Sequence, residues 1–566
     1  MNIKVKDVIV EKASAEQIFH AILKIRGYKT KAEQTAFLHP ADPTLEYILK
    51  ESLIKKSTLS KAQKLLDSHL KNNHDICIFG DYDADGVTAT AIMWQAVTAY
   101  AKVVGSKSRV LPFIPDRHKH GYGLSEQAVG DVLSGDAFRA TQSQDFKPSL
   151  VITVDTGIVA HVGIKSFRDA GIEVIITDHH LPAGATRPAL QAGQPETDLP
   201  PANAVVHTLA TSGAGVAWIV ALYLLGAPAN KLIDLATIGI VADMMPLTGI
   251  NRSICTLGLK SLSLANRPGL LAMKNTMGIG SKSLTTYDIS FGIAPRINAA
   301  GRIYNPIDAL RLLCTSDPKL AGELSTKIES HNKDRQDYTD RALKLSASKN
   351  TDHKIIVVIG DYHEGVIGLV AGKLTEMFNR PSIVMSDNGE VIKGSARSIA
   401  GVNITTLLRS LKVPFLGLGG HEQAAGFSIA KEYVTQLTQE LEQLGDVSIS
   451  DNQLIKQYSA DLQITLSTTS LSLAKLLHDL EPFGMGNPKP KFVINDLIVL
   501  EDRKLGSEGK HRKLLVEQGG ITRDLLLFNT KEKFPLTTIK SVIATFDVNV
   551  WRDKESLQLI ASYVQT

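Results

Sequence analysis

Three carboxylates and a glycine close an apolar run in Ile76-Cys77-Ile78-Phe79-Gly80-Asp81-Tyr82-Asp83-Ala84-Asp85-Gly86. Acids gathered this closely repel one another and lose solvation, so a fold that assembles them supplies a divalent cation or a strong set of donors. Oxygen ligands favour magnesium, manganese or calcium. Asp81, Asp83, Asp85 and Gly86 fall on positions one, three, five and six of a calcium loop, but the bidentate Glu required at position twelve is Ile92. The turn also follows a strand-like run rather than a helix. Taken alone, the stretch has a plainer rival, a solvated acidic turn.

The same grammar recurs downstream. The apolar runs 150–154 and 174–176 end in Asp155 and in Asp178-His179-His180, and Ile238-Gly239-Ile240-Val241-Ala242 ends in Asp243. Residues 75–79 read as a buried strand and 87–100 as a helix. Strands alternating with helices imply a parallel sheet, which sets its functional groups beyond the carboxyl ends of its strands. Asp83, Asp85, Asp155, His179 and His180 are expected to converge there, with Asp243 as a further acid. An isolated Asp is more often a cap or turn residue; the joint pattern points to a metal centre. Imidazole among carboxylates tilts the preference from magnesium towards manganese.

At 566 residues the chain has room for three or four domains. A hydrophobic content of 43% and a mean hydropathy near zero argue against both disorder and a membrane protein. The longest apolar run, 215–229, is too short to span a bilayer and reads as a core helix. Residues 1–17 carry charges throughout and lack the apolar core of a signal peptide, so a cytoplasmic location is expected. Cys77, Cys255 and Cys314 form neither a disulfide framework nor a zinc pattern and are expected as reduced, buried thiols. A net charge of +4 does not by itself announce a polyanion partner.

The motifs above are joined by Val154-Asp155-Thr156-Gly157, Val241-Ala242-Asp243, Pro295-Arg296-Ile297-Asn298-Ala299-Ala300-Gly301-Arg302, and Gly419-Gly420-His421 followed by Ala424-Ala425-Gly426. In identity and order they resemble the DHH phosphoesterase family, and in particular its single-strand exonuclease branch, over most of the chain. The resemblance implies two manganese ions, with magnesium as the alternative, held by Asp83, Asp85, Asp155, His179 and Asp243, with Asp155 as the bridge. His180 would complete the catalytic set and face substrate phosphate, and Asp81 and Asp178 would stand behind the ligands and orient them. Many relatives carry a histidine four residues before the second acid; here that position is Phe79, which implies a looser hold on one metal. A second departure is His207, where the family pattern has Asn-Pro after the apolar pair.

The elements that must position this chemistry read as an α/β chain. Residues 1–70 form a helical preface, broken at Leu38-His39-Pro40-Ala41-Asp42-Pro43 and ending in an amphipathic helix over 60–70. A parallel-sheet DHH catalytic domain covers 71–305. A connecting helix over 306–350, charged on nearly every turn between Lys327 and Lys344, is expected to be polar all round and to bridge domains. A second α/β unit over 351–450 resembles the DHH-associated domain, and 451–566 alternates short strands with turns in the manner of an OB-type β-barrel. In that last stretch Lys489, Lys491, Arg503, Lys504, Lys510, Arg512 and Lys513 interleave with Phe492, and Phe528 and Trp551 follow. Basic residues among aromatics suit single-stranded nucleic acid, with core packing as the plainer account of each ring.

A loop over 115–123 carries Arg117 among His118, Lys119 and His120. Arg117, Arg302, Ser395, Arg397 and His421 are the candidates for substrate phosphate, against the rival of solvated or structural cations. The function implied is 5′ to 3′ hydrolysis of single-stranded DNA to 5′-mononucleotides, in DNA repair and recombination, alongside a helicase and a single-stranded-DNA-binding protein. The alternatives are a phosphoesterase for pyrophosphate, an oligoribonucleotide or a cyclic dinucleotide, whose relatives lack the C-terminal barrel, and a non-catalytic DNA-binding scaffold, against which the intact acids argue.

Overall fold

The computed structural model describes residues 2–8, 13–121, 123–141, 145–182, 198–264, 267–280, 282–347, 353–506, 509–530 and 538–566. They divide into two compact units. One comprises Ile3–Asn298, Pro306–Ser325 and Ser459–Thr566; the other is chiefly Thr326–Tyr458 with Ala299–Asn305. Tyr122 and the end of the expected connecting helix, 348–350, lie outside the described residues.

The expectation of a wholly helical start fails at the first residues. Strand β1 (Asn2–Val8) precedes the helices Ala15–Ile25, Lys31–Leu38, Leu45–Ser52 and Lys56–Lys71. Strands β2 (Asp75–Phe79), β3 (Val110–Phe113), β4 (Pro148–Val154), β5 (Glu173–Asp178) and β6 (Ala204–His207) then form one parallel sheet in the order β3-β2-β4-β5-β6. From β2 the chain moves outward to β3 and then returns across to β4. The carboxyl ends of β2 and β4 therefore flank a topological switch point, where open α/β sheets bind ligands. The core strands are buried almost throughout, as parallel strands covered on both faces must be.

The run 215–229 supplies most of the helix Gly213–Leu225, buried from Gly213 to Leu222. The apolar run before Asp243, which the sequence groups with the strand tips, is instead the helix Ile233–Ala242. A short, fully buried run carries no periodicity that would distinguish the two forms. The single connecting helix is likewise two, Ile307–Cys314 and Pro318–Ala347, with Pro318 opening the second. That helix is not polar all round: Ala321, Leu324, Ile328, His331, Asn332, Thr339 and Ala342 are buried.

In the second unit β7 (Ile356–Gly360), β8 (Ser382–Ser386), β9 (Val391–Arg397), β10 (Phe415–His421) and β11 (Ala424–Ala430) form a mixed sheet in the order β10-β11-β9-β8-β7. Only β7 and β8 pair in parallel.

The C-terminal stretch is an OB-type barrel. After β12 (Gln457–Gln463), strands β13 (Phe492–Leu505), β14 (His511–Gln518), β15 (Ile521–Leu527), β16 (Thr538–Trp551) and β17 (Lys554–Gln565) close on themselves through the β13–β16 pairing. β12 runs parallel to β13, with β1 at the outer edge. The strands are longer than expected, 14 residues in β13 and β16. Phe492 stacks on Phe546 at 4.4 Å inside the barrel, which makes it a packing residue. Phe528 is half exposed, and the side chain of Trp551 lies outside the described residues. Lys489 pairs with Asp547, Arg503 with Glu501, Arg512 with Asp502 and Lys513 with Asp524.

A loop over 480–488 seats the barrel on the first α/β domain. Buried Arg252 donates to Phe37 O at 2.7 Å, Leu480 O at 3.1 Å and Glu481 O at 2.7 Å, and its guanidinium lies 3.9 Å from the Phe37 ring centre. Leu247 N donates to Met485 O at 2.8 Å, four residues beyond Asp243. No described helix is long and apolar enough to cross a membrane.

Candidate metal centre

The turn after β2 is fixed by its own acids. Asp83 caps the helix Ala84–Val103, its side chain accepting Gly86 N–H at 3.0 Å, while Asp81 accepts Tyr82 N–H at 2.8 Å. Asn298, from the motif that also carries Arg302, accepts Ala84 N–H at 2.8 Å and steadies the turn from outside. Asp85 faces the start of the helix Gly213–Leu225. It accepts from the Ser212 hydroxyl at 2.8 Å, Gly213 N at 2.7 Å and Ala214 N at 2.9 Å, so a helix N-terminus is aimed at its carboxylate. The sequence reading missed this cradle. Its only signal is a serine before a Gly-Ala-Gly helix start, because two of the three donors are backbone amides with no residue signature.

Asp155 follows β4 with φ +58°, a left-handed conformation that costs energy and concentrates at functional sites. Its neighbour is His179, whose Nε2 lies 3.1 Å from Asp155 Oδ1, 3.7 Å from Asp85 Oδ2 and 3.7 Å from Asp243 Oδ2. One imidazole nitrogen thus faces carboxylates from three separate elements. Asp243 caps the carboxyl end of the helix Ile233–Ala242. Asp178 supports both histidines: Oδ1 accepts His179 N at 2.7 Å and His180 Nδ1 at 2.8 Å, and Oδ2 accepts Ile158 N at 2.9 Å.

Two glycines make this crowding possible. A Cβ on Gly213 would fall 2.4 Å from the Asp155 side chain, and one on Gly239 would fall 2.3 Å from Asp85 Oδ1.

Among the described residues, three groups of side chains each have ligand atoms within 4.8 Å of one another: Asp81, Asp83 and Asp155; Asp85, His179 and Asp243; Asp155, His179 and His180. Asp81 stands in the first group beside Asp83 and Asp155. Burial lifts the Asp155 carboxyl well above the usual carboxylate range, and the charges of Asp85, Asp83, Asp81 and Asp178 lift it further. Burial, then Asp83, raises Asp81 to about 7. Asp83 opens to solvent, yet the protein packed around it desolvates its carboxyl and, with Asp85, pushes it up. Asp155 Oδ1 is buried without a hydrogen bond. Buried, mutually repelling acids with an orphaned oxygen fit divalent cations, which relieve both costs.

At the histidines the balance differs. Burial pushes Asp178 up, but the hydrogen bond and charge of His180, with Ile158 N–H, outweigh it and hold Asp178 at about 2. Burial pushes His180 down, but Asp178, Asp243 and Asp85 outweigh it and raise the imidazole to about 9. Burial keeps His179 below its ordinary value against the pull of Asp85, and a neutral imidazole is the form that binds metal.

Phe79 is fully buried, its ring 5.3 Å from that of Phe113. His207 braces the site indirectly, its Nε2 lying 2.7 Å from His180 O. The expected basic loop is a short helix, Arg117–His120. Arg117 is exposed, its guanidinium 5.5 Å from the Tyr82 ring centre. His120 and Lys119 both pair with Asp131 and are structural, and the side chain of His118 lies outside the described residues.

The other candidates for phosphate gather in the second unit. Arg397 donates to Ser395 Oγ at 3.2 Å and to Ala396 O at 2.8 Å. Both side chains meet the start of the helix Ile367–Phe378, where a Cβ on Gly368 would lie 3.1 Å from Ser395 Oγ and 3.2 Å from the Arg397 guanidinium. Arg302 donates to Gly365 O at 3.3 Å, two residues before that helix. His421 is exposed in β10 and pairs with Ala424, which pairs in turn with Arg397. An arginine, a hydroxyl and a glycine at a helix N-terminus make an anion-binding arrangement.

The chain matches the models of the DHH family N-terminal domain over residues 75–240, the DHHA1 domain over 352–445 and the RecJ OB domain over 460–563. The single-stranded-DNA-specific exonuclease RecJ of Bacillus subtilis (strain 168) is 32% identical over 577 residues, covering 98% of this chain and 69% of that protein. The crystal structure of RecJ in complex with Mn2+ from Thermus thermophilus superposes with a TM-score of 0.78 at 27% identity, covering 100% of this chain and 79% of that one. The Mg2+ complex from the same organism gives 0.73 at 26% identity, with 100% and 78% covered. With its metal-fitting acids at the switch point of a parallel sheet and a closed barrel at its C-terminal end, the chain belongs to the RecJ family of DHH phosphoesterases.

Proposed function

We infer that this chain is a manganese-dependent exonuclease that hydrolyses single-stranded DNA from the 5′ end to 5′-mononucleotides, in DNA repair and recombination. The observation that carries the reading is the overlap of three ligand groups around Asp155 and His179, which suits a pair of ions, magnesium being the alternative. Asp83, Asp85, Asp155, His179 and Asp243 would hold them, with Asp81 close enough to join. Bound there, the ions supply an activated water and stabilise the leaving oxygen of an in-line displacement.

The chain's own groups do the rest. The hydrogen bond between His180 Nδ1 and Asp178 orients the imidazole, so that its other nitrogen can donate to a phosphate oxygen. The Ser212-Gly213-Ala214 donors fix Asp85, and Asn298 fixes the turn that carries Asp83. Arg117, Arg302, Ser395, Arg397 and His421 are assigned to substrate phosphates. A helicase that delivers single strands and a single-stranded-DNA-binding protein that coats them are the proposed partners, in the cytoplasm.

End-labelled single-stranded DNA, duplex DNA, pyrophosphate and a cyclic dinucleotide, each with and without manganese, test the reading. Release of mononucleotides from the single strand alone, only with metal, supports it. Preferential turnover of either small substrate would refute it.

A further inference from the structure

Tyr287 and Phe291 lie four residues apart just before the helix Ala294–Ile303, exposed at 68% and 69%. Their ring centroids are 4.6 Å apart with 32° between the planes, so they present one aromatic face. Rings left in water forgo burial, and such patches mark interaction sites when the frame beneath them is ordered. This frame is tied down on several sides. Thr285 and Asp288 form a capping box, and the Thr286 hydroxyl donates to Phe483 O on the barrel loop at 2.6 Å. Ile289–Ile293 takes a π-helical turn, a form that recurs at functional sites, and the Arg296 guanidinium donates to Gly292 O at 2.9 Å.

Position identifies the occupant. Asn298, which accepts Ala84 N–H beside Asp83, lies seven residues beyond Phe291. At 1.5 Å per helical residue that is about 10 Å, or about three nucleotides at the 3.4 Å stacked spacing of a strand. We propose that Tyr287 and Phe291 form a base-stacking platform that holds unpaired bases of the DNA within a few nucleotides of the metal centre. The proposal rests on the exonuclease reading above and adds a determinant of strand specificity to it. Every base has a π face, so the platform accepts any sequence but requires that the bases be unpaired.

Anisotropy titrations in EDTA with labelled oligothymidylate and with an abasic strand of equal length separate bases from phosphates. The double variant Tyr287→Ala/Phe291→Ala should bind oligothymidylate about five- to a hundredfold more weakly and the abasic strand as the wild type does. Phe291→Trp should retain wild-type affinity. Both rings are exposed, so the double variant should keep its Tm and circular dichroism. Undiminished oligothymidylate binding, or an equal loss on both strands, overturns the platform. So does a variant that binds DNA normally but loses self-association, which assigns the face to a second copy of the chain. A wild-type protein that neither binds nor degrades single-stranded DNA overturns the exonuclease reading itself, and does so without any variant.

Discussion

Asp155 combines a left-handed backbone, deep burial and an oxygen without a hydrogen bond, a combination that lowers stability unless a cation occupies the site. Asp155→Ala should therefore abolish hydrolysis while leaving the fold intact. Asp155→Asn should go further and raise the Tm in chelator, because it removes a carboxyl whose ionised form burial and the neighbouring acids oppose in the folded protein; each 1 kcal/mol gained is worth about 2 to 4 °C in a domain of this size. The same variant should lose most of the Tm increase that manganese gives the wild type. Thermal melts with EDTA and with manganese check both signs, and near-native turnover by Asp155→Ala in saturating manganese would sink the assignment. Gly239→Ala probes the same crowding from behind, since its methyl would strike Asp85 Oδ1 and lie 2.4 Å from Ala214 Cβ. Overpacking of this kind costs about 1 to 3 kcal/mol, and a ligand displaced by about 1 Å can cost a hundredfold in rate. Turnover should fall far more than the Tm; an unchanged kcat would show that Asp85 tolerates the shift. At this scale the acids and histidines were legible because chemistry needs their residue types at strand tips. Ser212 and Asn298 were not, since a hydroxyl or amide that positions a ligand looks like any other cap.

Elements were legible where pattern and burial agree and obscure where burial erases pattern. The tips of β2, β4 and β5 stood out because apolar runs ended abruptly in ligands. The helix before Asp243 did not, because the run 238–242, five residues buried almost throughout, carries neither a period of two nor one of 3.6. β1 pairs with a strand more than four hundred residues away, and its own charged sequence gives no hint of that partner. Arg252 is the most consequential element-scale device that the sequence hid. Its guanidinium is buried with carbonyl partners, and burial, with Arg26 adding to it, lowers it to about 10. Hydrogen bonds from a charged group are worth about 1.5 to 3 kcal/mol each, and a buried acceptor left unmatched costs more. Arg252→Met should therefore destabilise the unit by roughly 3 kcal/mol or more and loosen the 480–488 loop beside Leu247. Hydrogen exchange should show that loop opening before the parallel sheet. Uniform exchange across both would mean that Arg252 serves the core rather than the seating of the barrel.

At the scale of the whole molecule, the metal-fitting acids and the Arg397 group belong to different compact units, so the roles proposed for them in cutting and in end recognition can be perturbed separately. A terminal phosphate is a dianion, best held by an arginine fork with hydroxyl and backbone donors. Arg397, Ser395 and the glycine-bearing start of the helix Ile367–Phe378 supply that set. Losing one charge-assisted contact costs about 1.5 to 3 kcal/mol, or roughly ten- to a hundredfold in rate if the contact persists in the transition state. Arg397→Ala should slow cleavage of 5′-phosphorylated DNA by that factor and affect 5′-hydroxyl DNA little, narrowing the preference between them. Manganese-induced stabilisation of the Asp155 centre should be unchanged, which distinguishes lost end recognition from a damaged metal site. Equal slowing on both substrates, or first release of label from the 3′ end by the wild type, would mean that the group does not set polarity.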